Sequence, residues 1–326
     1  MASNVPLRKL GPSGPFVSAI GLGCWQFSQG KGFFGNTWRT LSDEEVAEIV
    51  RVSLEGGITW FDTAESYGGG QSERALSAAL KKLGKAPGEV VIATKWMPAF
   101  RTARSLLKTI DVRLKNLDGF GIDLYQIHHP ISFSSTSDQM RAMARLVESG
   151  KVRHIGVSNF SAKNMLAARH ALAAYGLSLA SNQVHYSLLN RKIETNGVLA
   201  AAKDHGITII AYSPLEQGLL TGRFHDDPDL IRRSPGFRKH RAGFKTKGLA
   251  HSRPVVDTVR EVAAGRGATP AQIALAWLLQ AHGDTVVAIP GATKVAQARD
   301  NAAAMAVMLT RDDLDRLDSV SAIFKK

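Results

Sequence analysis

Apolar runs and amphipathic stretches alternate along almost the whole chain, and this alternation restricts the available folds more than any single motif. Strand-like runs fall at 19–21, 58–61, 90–94, 122–128, 154–157, 180–184, 208–212 and 285–289. Helical spacing of apolar residues recurs at 42–54, 72–83, 103–116, 137–149, 162–175, 193–205, 254–266, 270–282 and 295–305. Strands separated by helices pair in parallel, and right-handed crossovers leave either a doubly wound sheet or a closed barrel. Eight strands in 326 residues, with polar residues at their C-terminal ends, favour a (β/α)8 TIM barrel of α/β class. Residues 5–20 alternate around Gly11-Pro12-Ser13-Gly14-Pro15, the pattern of an N-terminal β-hairpin that would close one end. Residues 310–320 form one C-terminal extra helix, and Ser42 with Glu45 makes a capping box. No linker-like stretch divides the chain, so residues 1–326 are expected to be one domain.

Composition narrows the function classes. A hydrophobic fraction of 44% with 21% charged residues is ordinary for a globular protein, and no apolar run is long enough to span a bilayer. The start, MASNVPLRKL, lacks the apolar core of a secretory signal. The lone cysteine, Cys24, excludes an intramolecular disulfide and a cysteine metal cluster; a cytoplasmic location is the expectation. The net charge of +13 admits nucleic acid, an acidic surface or an anionic cofactor. Much of the excess lies at 223–253, among them Arg232, Arg233, Arg238, Lys239, Arg241, Lys245 and Lys247, in a segment with little periodicity that reads as a mobile loop. No nucleic-acid-binding motif accompanies it, so neither nucleic acid nor membrane is expected as a partner.

The chemistry gathers at the strand ends. FDTAESYGGGQSE, Phe61 to Glu73, delivers Asp62 from a strand and Tyr67 from the following loop. Later strands end at Lys95-Trp96, His128-His129-Pro130, Ser158-Asn159, Gln183 and Tyr212-Ser213-Pro214. In a parallel barrel these ends share one face. Singly, each has a structural reading: a capping aspartate, a snorkelling lysine, a satisfied histidine. Together they make a proton-transfer site. An ammonium at Lys95 would favour the phenolate of Tyr67 and lower its pKa, Asp62 would orient the lysine, and His128 could polarise a substrate oxygen. A metal-dependent hydrolase is disfavoured, because adjacent strand-end histidines should point to opposite faces and no early HxH pair is present.

FDTAESYGGGQSE, Lys95-Trp96, LYQIHHP, GVSNF, SNQVHY, AYSPL and IPGATK, in this order, resemble the aldo-keto reductase superfamily over essentially the whole chain. The resemblance implies a barrel that binds an extended nicotinamide dinucleotide without a Rossmann domain and reduces carbonyl compounds by hydride transfer. It places the family's catalytic tetrad on Asp62, Tyr67, Lys95 and His128, with His129 in the variable place of an HxP pattern. It sets Ser158, Asn159 and Gln183 against the carboxamide and Tyr212 on the nicotinamide ring. Ser213 and Leu215, beside Tyr212 in AYSPL, are further cofactor-binding residues by the resemblance, and GLLTG, with Gly218, Leu220 and Gly222, resembles the phosphate-contacting loop of the larger bacterial branches. Gly291, Thr293, Lys294, Gln297 and Asn301 would meet the adenosine half. Lys294 is then the cation offered to a 2′-phosphate, which implies NADPH, with NADH as the alternative.

Trp25, Trp96 and His129, with the loop around Phe33, Phe34 and Trp38, either wall a pocket for an apolar carbonyl substrate or are core aromatics. A regulatory barrel that binds the cofactor with little turnover, as in soluble partners of membrane channels, is the second reading. Substrate choice would lie in the loops at 26–40, 131–136 and 223–252.

Overall fold

The computed structural model describes residues 7–31, 38–234 and 236–326, without the side chains of residues 237 and 238. Phe33 and Phe34 lie outside the described residues. The expected hairpin forms from β1 (Leu7–Lys9) and β2 (Phe16–Ser18), antiparallel with Leu7 opposite Ser18. Leu10 and Val17 pack on Trp60, Ala93, Leu124, Ala180, Ile210 and Val287, which plugs the N-terminal end of the barrel. Gly11 is required there: its φ is +67°, and a Cβ would lie 2.6 Å from Ala180 Cα.

Eight parallel strands follow in spatial as well as chain order: β3 (Leu22–Gly23), β4 (Trp60–Asp62), β5 (Val91–Trp96), β6 (Leu124–Ile127), β7 (His154–Ser158), β8 (Leu179–His185), β9 (Thr208–Tyr212) and β10 (Val286–Ala288). Bridges from Ile20 to Ala288 and Gly23 to Gly291 close the ring. The first barrel strand therefore pairs at Leu22–Gly23 and not at 19–21; the earlier residues instead contribute the bridge at Ile20.

Period-two alternation decides what each strand delivers. On β5, Ala93 and Lys95 point inward while Ile92 and Trp96 meet the helices. β8 carries a bulge: Ile155 pairs with Leu179, but Gly156 pairs with Ser181, so Ala180 is an inserted residue. The insertion shifts the parity and lets both Ala180 and Gln183 face the barrel interior.

The helices are α1 (Asp43–Glu55), α2 (Gln71–Lys82), α3 (Arg104–Asn116), α4 (Thr136–Glu148), α5 (Ala162–Ala173), α6 (Val198–Asp204), α7 (Arg223–Asp226), α8 (Asp229–Arg232), α9 (Thr246–Arg266), α10 (Pro270–Gln280), α11 (Val295–Ala303) and α12 (Arg311–Ser321). Ser42 and Glu45 form the expected capping box. The helix expected over 193–205 is split into a 3-10 turn, Lys192–Glu194, and α6, because Gly197 takes a left-handed φ of +85°.

The basic segment also differs from expectation. It folds into α7, α8, two 3-10 turns and the first part of α9, which begins before Pro254 and runs through it. Leu219, Phe224, Ile231, Phe244 and Leu249 make a separate small core beneath it. These anchors are too irregularly spaced to register as one helical period. At the C-terminus, the buried Arg191 guanidinium bonds Glu194, Asp318 and Ser321 and latches α12 to the loop after β8. No helix among the described residues is long and apolar enough to cross a membrane.

Candidate active site

A cleft of about 700 Å³ opens at the C-terminal ends of the strands. Its floor is a buried polar cluster. Lys95, fully buried on β5, pairs with Asp62 of β4 and donates to Thr63 O at 2.9 Å and to the Tyr67 hydroxyl at 3.3 Å. The other Asp62 oxygen accepts from Gln126 at 3.1 Å and Gln183 at 2.9 Å. Asp62 is thereby almost fully coordinated by donors, which satisfies a buried carboxylate. Gln126 escaped the sequence reading because it lies inside a strand; its inward register next to Lys95 is the signal that could have found it.

Tyr67 is held by its loop. Glu65 accepts from Met97 N at 2.6 Å and pairs with Arg101, which fixes the turn against β5. Trp25 stacks on the Tyr67 ring at 6.1 Å, and His128 meets it edge-on at 5.8 Å. Burial holds the phenol above its ordinary pKa; Lys95 opposes that shift and Asp62 adds to it. The expected net lowering does not occur, because the cost of a buried phenolate exceeds the ammonium's attraction. Burial works against the Lys95 ammonium, but Asp62 and Tyr67 outweigh it and raise its pKa.

His128 is held well below the usual imidazole range by burial, by Lys95 and by His129, so its ring is neutral at neutral pH. Ser66 Oγ lies 3.3 Å from Nδ1, where a donating hydroxyl would leave the ring proton on Nε2. The two histidine rings stack nearly parallel at 5.1 Å and 7° instead of pointing to opposite faces. Strand pairing ends at Ile127, so strand alternation no longer governs them. Among the described residues, no group of three or more His, Cys, Asp and Glu side chains could hold a metal ion.

The neutral His128 has a thermodynamic consequence. Its folded pKa lies below the unfolded value, so the unfolded state takes up the proton first as pH falls, and stability is lost downward from about pH 7 toward pH 5. Thermal melts should show a midpoint that drops over this window. His128→Gln should flatten the drop; the buried-histidine account fails if it leaves the slope unchanged.

Around the floor, Ser158, Asn159, Gln183, Tyr212, Ser213, Leu215, Gly218, Gly291, Thr293, Gln297 and Asn301 all line the cleft, as do Trp25 and His129. Asn159, at a left-handed φ of +61°, donates to His128 O and accepts from the Tyr212 hydroxyl at 3.0 Å. The His185 ring, which also lines the cleft, stacks on Tyr212 at 5.3 Å, and its Nε2 lies 2.5 Å from Glu216. Glu216, Gln217 and Gly218 are consecutive left-handed residues, which turns the loop sharply along the cleft wall. His185 and Glu216 were not singled out from the sequence; their pairing exists only once β8 and β9 are adjacent.

Four expected residues fall elsewhere. Trp96 is buried between β5 and α3, its indole donating to Ser105 at 3.1 Å, because it follows the inward Lys95. Leu220 is wholly buried, and Gly222 abuts the Arg260 guanidinium. Lys294 is an exposed residue at the N-cap of α11, off the cleft lining. The sequence reading missed Lys31, Arg39 and Arg223, cations that do line the cleft.

A closed parallel barrel with a lysine, a carboxylate, a phenol and a neutral imidazole at its C-terminal mouth is the architecture of a barrel oxidoreductase. Comparison with known proteins agrees. The Aldo/keto reductase family model matches residues 19–322. An uncharacterized oxidoreductase of Mycobacterium tuberculosis (strain ATCC 25618 / H37Rv) is 38% identical over 309 residues, 95% of this chain and 91% of that protein. The aldo-keto reductase yakc [NADP(+)] of Schizosaccharomyces pombe is 30% identical over 319 residues, covering 94% and 88%. The crystal structure of a thermostable aldo-keto reductase in complex with the inhibitor epalrestat superposes with a TM-score of 0.77 at 32% identity, covering 97% of this chain and 99% of that one. The chain belongs to the aldo/keto reductase family and is an oxidoreductase.

Proposed function

We propose that this enzyme reduces aldehydes and ketones to alcohols with a nicotinamide dinucleotide, NADPH in preference to NADH, as the reductant. The observation that carries the reading is the contact of Lys95 with both Asp62 and Tyr67, with His128 beside the phenol at the cleft floor. The cleft fits such a cofactor. Tyr212 and the stacked His185 offer aromatic surface to the cleft, and Ser158, Asn159 and Gln183 bring hydroxyl and amide groups to the same lining. Gln26 Oε1 is buried without a hydrogen-bond partner at the cleft wall, and a Cβ at Gly291 would overlap this side chain, so the bare glycine makes room for an amide with an unused acceptor. The turn at Glu216–Gly218 and the cation Arg223 suit the pyrophosphate.

Bound there, the reduced nicotinamide supplies a hydride to the carbonyl carbon. The chain supplies the rest. Tyr67, kept as a neutral phenol, donates its proton to the carbonyl oxygen, and the phenolate that remains faces the Lys95 ammonium. Asp62 keeps Lys95 charged and aimed, while Gln126 and Gln183 keep Asp62 in place. His128 donates from Nε2 to the same substrate oxygen and fixes its direction. Trp25, Trp38, Met97 and His129 line the mouth and favour apolar or aromatic carbonyl compounds over charged ones. The relative of Schizosaccharomyces pombe carries NADP(+) in its name, which supports the cofactor choice.

The purified enzyme with NADPH and a panel of aromatic aldehydes should consume the reduced cofactor in proportion to alcohol formed. Cofactor binding without turnover of any carbonyl or alcohol would instead favour a regulatory barrel.

A further inference from the structure

The segment after β10 carries two cations, Lys294 and Arg299, and neither lines the cleft. Thr293, Gln297, Asp300 and Asn301 of that segment do line it. Arg39, from the chain just before α1, lines the cleft and donates from Nη2 to Thr293 O at 2.6 Å. We propose that Arg39 is the residue that selects NADPH over NADH, by bonding the 2′-phosphate beside Thr293; this rests on the nicotinamide-dinucleotide reading above.

Three features support this role. The guanidinium is pre-aimed: Glu45 takes Nη1 at 3.2 Å and Nη2 at 2.8 Å, while Glu45 itself is held by the capping box of α1. These bonds, with Thr293 O, use three of the five N–H groups and leave Nε–H and one hydrogen of Nη1 for a ligand oxygen. Such pre-orientation reduces the side-chain entropy lost on binding.

Placement also singles it out. Among the other cleft-lining cations, Lys31 bonds through its backbone to Ser28 O, which lies against Gly68 of the Tyr67 loop, while Arg223 and Arg241 belong to the segment beyond β9: Arg223 lies over the Phe224 ring near Gly218, and Arg241 acts on Tyr212. They face the middle of the cleft and its nicotinamide end. Arg39 is tied directly to the adenosine segment.

The electrostatics of that end also favour a cation lining the cleft, since Arg299, which acts on Asp300, lies off the lining. Burial raises the Asp300 carboxyl above its usual range, and Gln272 donates to it at 3.2 Å. A carboxylate at this end of the cleft repels a phosphate. The Arg39 guanidinium, bonded to Thr293 O of the same segment, offsets that repulsion, and Glu45, which shares its charge, sets how strongly.

Equilibrium titration of the full chain with NADP+, NAD+ and adenosine 2′,5′-bisphosphate, read by quenching of tryptophan fluorescence, tests this without turnover. The wild type should bind NADP+ more tightly than NAD+. Arg39→Ala should weaken NADP+ and the bisphosphate by roughly 10- to 100-fold, and change NAD+ by no more than about twofold. Arg39→Lys should recover part of the loss, and Lys294→Ala should leave the NADP+ to NAD+ ratio alone.

The proposal is overturned if Arg39→Ala leaves the ratio unchanged, if it weakens both dinucleotides together as a merely structural residue would, or if Lys294→Ala carries the loss. A wild type that binds neither dinucleotide overturns the cofactor reading itself, an outcome distinct from any failure confined to Arg39.

Discussion

Tyr67→Phe should lower kcat by roughly 10²- to 10⁴-fold, the usual worth of a positioned general acid, while the Kd for NADP+ stays close to that of the wild type. The substitution removes one oxygen. The ring keeps its stacking on Trp25 and its edge contact with His128, so the cleft wall is unchanged. Lys95 keeps Asp62 and Thr63 O as partners, so no buried charge is stranded. Steady-state rates together with a binding titration check both halves. If the variant retains wild-type turnover, Tyr67 is not the proton donor. If turnover and cofactor binding fall together, Tyr67 serves the cleft's shape and not its chemistry.

Lys95→Met should cost both activity and stability. Lys95 and Asp62 are a fully buried ion pair, and removing one partner strands the other in low dielectric at a cost of about 3–5 kcal/mol. Denaturant unfolding of the single variant should show that loss. The double variant Lys95→Met with Asp62→Asn should regain most of the stability, because no unpaired charge remains, and yet stay inactive, because nothing is left to receive the phenolate. A double variant that remains as unstable as the single one would show that lysine packing, and not the stranded carboxylate, sets the cost.

The barrel was legible in the sequence because eight apolar runs and their helices repeat with one period, and because parallel crossovers allow few closures. The cluster at its mouth was legible because Asp62, Lys95 and His128 end strands, or lie just past their ends, on a single face. What the residues hid depends on register and neighbours. Trp96 reads as a pocket wall beside Lys95, but alternation sends it to the helical layer. Gln183 reaches Asp62 only because Ala180 forms a bulge, an insertion visible in strand pairing and not in the residue pattern. The pKa of Tyr67 depends on a balance of burial and charge that spacing cannot weigh. Arg39 and Thr293 are far apart in the chain and meet only when the barrel closes between β3 and β10. The basic stretch concealed its own small core because Phe224, Ile231, Phe244 and Leu249 follow no single period.

The central claim is that this cleft passes a hydride to a carbonyl carbon while Tyr67 protonates the oxygen. Reduction of an aromatic aldehyde with cofactor deuterated at nicotinamide C4, followed by mass analysis of the alcohol, tests it most directly. The account predicts one deuterium on the carbinol carbon with the wild type and almost no labelled product with Tyr67→Phe over the same time. Alcohol formed without deuterium, or labelled equally fast by Tyr67→Phe, would contradict it.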